Sequence, residues 1–216
     1  MTRISILLAS CLLISACGTA QKAKYSALEQ VGIHKRDILV DRIEKTARTQ
    51  EQTKQKFQSA YEELAGLIEV DDQGLEKRYK RMAAAVEASE DKAAELTGRV
   101  AAVDRVAQDL FSEWERELGQ YQSANLKQAS ERNLQITRNR YQALYVKMQT
   151  AQQRVQPVLE VLQDNTLFLK HNLNARAVSS LSGEVLRVQD KVAVLISDME
   201  LSIDEARDFV RQMQNK

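Results

Sequence analysis

The 216-residue chain is poor in the residues that end helices and make turns. It contains seven glycines and one proline, whereas a fold built from β-strands needs many turns and therefore more of both residues. Ala, Gln, Glu, Lys, Arg and Leu are abundant, and all six favour helices. This composition argues against a sheet and predicts an almost wholly helical protein.

The chain also lacks an excess of charge of one sign. Lys and Arg number 31, and Asp and Glu number 30. Residues 1–16 contain one charged residue, Arg3, so their removal makes the two counts equal. Nucleic-acid binding requires Lys and Arg concentrated on one face, so the balance argues against a nucleic-acid partner. The content of 44% apolar and 28% charged residues is typical of a folded chain.

The apolar stretch at the N-terminus is too short to cross a membrane, which requires about 20 residues. Arg3 precedes the largely apolar residues 4–14, and Ser15 and Ala16 stand before Cys17. These are the three regions of a secretory signal in their usual order. We therefore predict that residues 1–16 are a removable signal peptide.

The segment Ile14-Ser15-Ala16-Cys17 resembles the lipobox of bacterial lipoproteins, in which the cysteine receives diacylglycerol before cleavage. Residues 8–11 fit the same pattern but would leave an apolar region of only seven residues, so Cys17 is the preferred lipidation site. The alternative is a secreted protein with two ordinary cysteines. Gly18 after the cysteine resembles lipoproteins forwarded to the outer membrane. We therefore expect acyl anchoring at Cys17, facing the periplasm, at the outer rather than the inner membrane.

Residues 17–33 are polar and loosely patterned, which predicts a tether, and residues 34–216 are predicted to form one helical domain. In that domain apolar residues recur at alternating steps of three and four, the spacing of coiled-coil helices. The second, third and fourth stripes span 75–121, 134–169 and 181–213. The first stripe has a polar middle and consists of Val40, Ile43, Ala47, Gln50, Lys54, Phe57, Tyr61, Leu64 and Ile68.

The stripes are interrupted at residues 70–74, 119–125 and 171–176, where we predict turns. Short connections place consecutive helices side by side and antiparallel. The predicted fold class is all-α, an elongated antiparallel bundle of about four long coiled-coil helices. In the alternative the second and third helices continue as one. Pro157, inside the third helix, predicts a kink. Exposed helical faces are indicated by acid-to-base pairs four residues apart, namely Asp41 with Lys45, Glu44 with Arg48, Glu76 with Lys80 and Glu95 with Arg99.

Two polar segments are candidates for contact with a partner. The triplet His34-Lys35-Arg36 precedes the first helix near the anchor and could contact anionic headgroups. Its alternative interpretation is a solvated helix start with Asp37 as an N-cap or first-turn acid. The triplet Lys170-His171-Asn172 follows a dense apolar run, which indicates either a tight corner between helices or a tip that binds a partner.

Neither segment carries a catalytic or metal-binding pattern. His34 and His171 are predicted at opposite ends of the bundle, and neither has a second ligand at helical spacing. The sequence contains no Gly-rich phosphate loop and no nucleophile elbow. We therefore predict no cofactor, no metal and no enzymatic activity.

Four segments, residues 31–42, 111–115, 157–159 and 167–177, resemble a family of proteobacterial lipoproteins catalogued as domain of unknown function 2959. The resemblance covers nearly all of the chain after the signal peptide. It implies an exported helical protein and brings no activity, cofactor or catalytic residue with it.

The main functional hypothesis is a structural or adaptor lipoprotein that binds another envelope protein, with self-association as a further option. One alternative is a peptidoglycan tether, because the chain ends in Lys216 and a small lipoprotein is joined to the wall through a terminal lysine. The other alternative is a protein that binds or remodels lipid through the broad apolar face from Val155 to Leu169.

Overall fold

The computed structural model describes residues 34–68 and 74–214. These two ranges contain helices and no β-strand, which confirms the all-α prediction. The predicted signal peptide, the tether, Cys17 and Lys216 lie outside the described residues. The helices are α1 (Lys35–Ala65), α2 (Leu75–Glu117), α3 (Ala124–His171), α4 (Ala175–Ser180) and α5 (Ser182–Gln214), with a single 3-10 turn at Leu118–Gln120.

Four of these helices are long and pack as a closed ring. α1 contacts α2 and α5, and α3 contacts the same two helices from the other side. Between α2 and α3 the chain reverses, since the Trp114 indole N–H donates to Ser130 Oγ at 2.8 Å. The structure is therefore the predicted four-helix antiparallel bundle and not the three-helix alternative. With 43 and 48 residues, α2 and α3 are about 65 and 72 Å long.

The helix starts are set by short polar side chains. Ser123 Oγ accepts from the Leu126 backbone N–H at the start of α3, and Asn174 Oδ1 accepts from the Ala177 N–H at the start of α4. At the start of α1 the His34 backbone N–H donates to the Asp37 carboxylate at 3.3 Å. These bonds satisfy backbone donors that have no partner in the first turn of a helix. Asp37 is therefore the predicted first-turn acid.

The core follows the predicted stripes in α3 and α5. Every position of these two stripes is buried, namely Leu134, Thr137, Tyr141, Leu144, Met148, Ala151, Val155, Val158, Leu162, Asn165 and Leu169 in α3, and Leu181, Val185, Val188, Val192, Leu195, Met199, Ser202, Ala206, Phe209 and Met213 in or just before α5. α3 continues through Pro157, whose side chain is exposed, and the kink expected there stays a prediction. In these two helices the predicted stripes therefore coincide with the buried face.

In α1 the predicted stripe was right at only four positions, Ile43, Gln50, Phe57 and Leu64. At the remaining stripe positions the buried residue lies one place earlier than predicted, because the buried face follows the same alternation counted from Leu39 instead of Val40. Lys54, assigned to the stripe, lies on the flank with its Nζ 3.1 Å from both Glu51 and Glu200. The other buried residues are Leu67, just after the end of α1, and within α1 Lys35, Leu39, Thr46, Thr49, Thr53 and Ala60.

The bundle has two distinct ends. We call the end at which α1 starts the proximal end, and there α5 also finishes, with Met213 and Gln214 beside Arg36 and Val40. At the distal end α1 finishes and α2 starts, joined by ion pairs from Glu63 to Arg78 and Arg81. Eight of the first ten residues of α3 are exposed, and Ala129 and Ser130 are half-buried.

Candidate interaction surfaces and the polar core layer

The two polar triplets lie at opposite ends of the bundle, because α1 and α3 run parallel and the triplets stand at the start of one and the end of the other. The structure therefore does not bring His34 and His171 together. Within residues 34–68 and 74–214 there is no group of three or more His, Cys, Asp or Glu residues that could hold a metal ion.

At the proximal end the three residues of the triplet have different surroundings. Lys35 is 9% exposed, and its Nζ lies 2.5 Å from Glu113 Oε1 on α2. This ion pair inside the bundle therefore joins the start of α1 to the end of α2. His34 and Arg36 remain exposed. Sequence reasoning missed the Lys35–Glu113 pair because the two residues are 78 positions apart.

At the distal end Lys170, His171 and Asn172 are all exposed. Asn172 Nδ2 donates to the Phe168 carbonyl at 3.1 Å, and with the Asn174 cap of α4 this bond accounts for both asparagines as residues of a helix corner. Beside the corner, Leu167 is 59% exposed and Phe168 is 40% exposed. The distal end therefore presents two large apolar side chains next to Lys170 and His171.

The middle of the core contains a polar layer. Gln50 and Ser202 are both fully buried, with Gln50 Nε2 donating to Ser202 Oγ at 2.9 Å and Ser202 Oγ lying 3.1 Å from Gln50 Oε1. Thr46, Thr53 and Ser89 instead donate to backbone carbonyls four residues earlier in their own helices. The Gln50–Ser202 pair thus links α1 to α5 within the core.

A cluster of aromatic rings fills the core near the proximal end. Tyr141 lies between Phe111, Tyr145 and Phe209, with ring centroids 5.6 to 6.3 Å away. Its hydroxyl donates to Asp104 Oδ1 at 3.0 Å. Burial, with the nearby Asp104 charge, raises the pKa of the Tyr141 phenol well above its ordinary value. Tyr141 is therefore a neutral donor that joins α3 to α2.

A surface groove of about 470 Å³ runs between α1 and α5, and we call it the α1–α5 groove. Its floor is apolar, and its two walls differ in charge. The α5 wall carries Arg207 and Arg211, and the α1 wall carries Glu44, Arg48 and Glu51. The floor is formed by Ala47, Ile203, Ala206 and Val210.

On the opposite side of α5, cross-helix polar contacts close the surface between α3 and α5. Lys147 pairs with Glu205 at 2.6 Å and Arg154 with Asp198 at 3.1 Å. Outside this row of contacts, Val194 is 47% exposed and Leu201 is 54% exposed. The two residues are seven positions apart and therefore lie on one face of α5. We call Val194 and Leu201 with the adjoining row of ion pairs the α3–α5 face.

Over the residues that the structure describes, the protein is an all-α bundle of four long antiparallel helices with the short helix α4 at one corner. The chain belongs to the family described as "Protein of unknown function (DUF2959)", whose model matches residues 24–213. This match confirms the family resemblance in the sequence. No curated protein and no solved structure matches the chain. None of the described helices is both long enough and apolar enough to cross a membrane.

Proposed function

We propose that the protein is an exported lipoprotein, acylated at Cys17, which acts without catalysis as a structural or adaptor module of the cell envelope. The four residues that end at Cys17 support the export and the lipid anchor. The proximal end begins 17 residues after Cys17 in the sequence, so the tether would join it to the acylated cysteine. Export would place the bundle on the periplasmic side of the membrane. The Gly18 pattern favours the outer membrane.

The observation that carries the adaptor role is the exposure of Val194 and Leu201 on the α3–α5 face. Neither side chain belongs to the buried core of the bundle, to which α5 contributes Leu195 and Met199 at this level. Val is also a weaker helix former than the Lys, Glu or Gln that usually occupies such an exposed position. Two apolar side chains aligned on one helical face, with charged residues at the rim, match the anatomy of a protein interface.

This interface can be tested by crosslinking in cells. A photoreactive residue at Ser197, which is exposed and lies between Val194 and Leu201 in the sequence, should capture one reproducible envelope protein. The double variant Val194→Glu and Leu201→Glu should abolish that product. The matched control is Leu126→Glu, since Leu126 is 60% exposed but lies at the proximal start of α3. A product that survives the double variant, or no product at all, would refute the adaptor role.

The anchor needs a separate experiment. Wild-type protein should fractionate with the outer membrane and carry acyl mass on Cys17, whereas Cys17→Ala should be released or retain its signal peptide. A wild-type chain that has no acyl mass would overturn the lipoprotein assignment while leaving the adaptor role open.

Contact with lipid is a second candidate, favoured by Leu167 and Phe168 beside Lys170 and His171. Most of the apolar face from Val155 to Leu169 is core, so only this distal tip remains for a bilayer. Co-sedimentation with vesicles rich in anionic lipid should then depend on Leu167 and Phe168. Substitution of both by Ser should remove binding, and equal binding by the substituted protein would exclude this role.

The wall-tether alternative receives less support from the fold. Gln214, the last described residue of α5, lies at the proximal end beside Arg36. A wall junction at Lys216 would therefore start from the same end of the bundle as the lipid anchor, and the length of the helices would add no reach. Deletion of Lys216 is expected to leave the amount of wall-bound protein unchanged.

A further inference from the structure

We propose that the α1–α5 groove binds a second copy of this chain, in a parallel dimer whose two-fold axis runs along the bundle. The groove has an apolar floor in which Ala47 and Ala206 are small enough to let another helix approach closely. A second groove of about 250 Å³, lined by Val40 and Met213, continues the same surface toward the proximal end.

Among the described residues, the charged side chains on the walls of the α1–α5 groove pair only within their own helices. On α5, Arg207 pairs with Asp204 at 3.1 Å, and Arg211 pairs with Asp208. On α1, Glu44 lies 3.7 Å from Arg48. Such exposed pairs between residues three or four positions apart contribute only a few tenths of a kcal/mol. The acidic wall and the basic wall are therefore free to exchange partners with a complementary surface.

The acidic and basic residues lie at the same level of the bundle. Gln50 and Ser202 are in contact, and α1 and α5 are antiparallel, so positions before Gln50 lie level with positions after Ser202. Glu44 stands six residues before Gln50, about 9 Å along the axis, and Arg207 stands five residues after Ser202, about 7.5 Å along the axis. Glu44 and Arg207 therefore face outward at nearly equal height.

This match of level selects one symmetry. A two-fold axis parallel to the helices places α1 of one copy opposite α5 of its partner at unchanged height, so Glu44 meets Arg207 of the partner subunit, and the reverse contact forms as well. A two-fold axis across the helices would instead place α5 against α5 of the partner subunit, so that the arginines of the two α5 walls would face each other, which is repulsive. The parallel dimer also puts both proximal ends on one side, as two chains anchored in one membrane would require.

Charge reversal tests the dimer directly. The full-length chain, solubilised in mild detergent, would be followed by sedimentation equilibrium over a range of concentrations. We expect Arg207→Glu and Glu44→Arg each to raise the dimer dissociation constant at least tenfold, because the dimer contains each contact twice. The double variant Glu44→Arg with Arg207→Glu should restore the constant to within about threefold of wild type, since the charges are then exchanged.

The matched control is Arg187→Glu. Arg187 is on α5, is exposed and pairs with Glu184 three residues earlier, as Arg207 pairs with Asp204. It stands seven residues before Val194 and therefore lies on the same side of α5 as the α3–α5 face, away from the groove. It should leave dimerisation unchanged. A wild-type chain that stays monomeric at every concentration would overturn the proposal. A dimer that Arg207→Glu does not weaken, or that Arg187→Glu weakens equally, would also overturn it. The same holds if the double variant dimerises as weakly as the single variants. Because Arg207 is 68% exposed by side chain, its reversal should leave the far-ultraviolet spectrum unchanged.

Discussion

The buried pair Gln50 and Ser202 offers a sharp test of the core. In Ser202→Ala the side chain keeps nearly the same volume, so little cavity forms, but the Gln50 amide loses the partner of both its nitrogen and its oxygen. An unpaired polar group in the core costs about 1–3 kcal/mol. We therefore expect Ser202→Ala to lower the free energy of unfolding by that amount, equivalent to about 2–4 °C in the unfolding midpoint for each kcal/mol.

Substitution of Gln50, the other member of the pair, should lower the free energy of unfolding by less. In Gln50→Leu the Ser202 hydroxyl can turn to the carbonyl four residues earlier in α5, as Ser89 does toward Ala85 in α2. The double variant Gln50→Leu with Ser202→Ala leaves no unpaired polar group and should lie within about 1 kcal/mol of wild type, or above it. The three variants and wild type form a double-mutant cycle, measured by urea unfolding followed by circular dichroism. A double variant destabilised by the sum of the two single effects would refute this reasoning.

Three further predictions concern packing and pH. Leu195 is fully buried, so Leu195→Ala should lower the free energy of unfolding by about 2–5 kcal/mol. The side chain of Leu201 is 54% exposed, so Leu201→Ala should lower it by less than about 1 kcal/mol. Similar midpoints of thermal unfolding for the two variants would contradict the described packing of α5. Tyr141→Phe removes the bond to the Asp104 carboxylate and should cost about 1.5–3 kcal/mol. Because the folded pKa of Tyr141 is raised, the unfolded chain alone releases this proton near pH 10, so wild-type stability should fall above that pH more steeply than that of Tyr141→Phe. Hydrogen bonds from Lys92 and Arg99 lower the pKa of Glu95 below its usual 4.5. Wild type should therefore be more stable than Glu95→Gln above pH 4.5, and this difference in stability should vanish as the pH falls through the lowered pKa. A difference that does not change with pH in acid unfolding would exclude this cause.

The helices could be predicted because their pattern is local. The stripes gave the correct class and the correct number of long helices, and the predicted turns at 119–125 and 171–176 fall where α2 meets α3 and where α3 meets α4. All four ion pairs predicted at four-residue spacing are present. The short helix α4 was missed because it occupies only six residues, too few for a stripe to repeat.

The interactions between helices could not be predicted in the same way. Gln50 and Ser202 are 152 residues apart, and their contact depends on the register of α5 against α1. A signal was nevertheless present, because Ser202 is the one polar residue of the 181–213 stripe and Gln50 stands in the polar middle of the first stripe. In α1 the alternation counted from Val40 placed Ala47 in the core, whereas the alternation counted from Leu39 places Thr46 there. Hydrophobicity alone does not distinguish a core position from a flank when the buried face contains threonine and glutamine.

The buried pair and the charged groove are connected through the register of the helices. If α5 slid by one heptad along α1, apolar positions would still meet apolar positions, and much of the hydrophobic contact would survive. The slide would, however, carry Ser202 about 10 Å from Gln50 and leave the Gln50 amide unpaired in the core. It would also move Arg207 away from the level of Glu44 by the same distance. A single buried hydrogen-bonded pair therefore fixes which charges face outward at each height, and with them the surface that a second copy would meet.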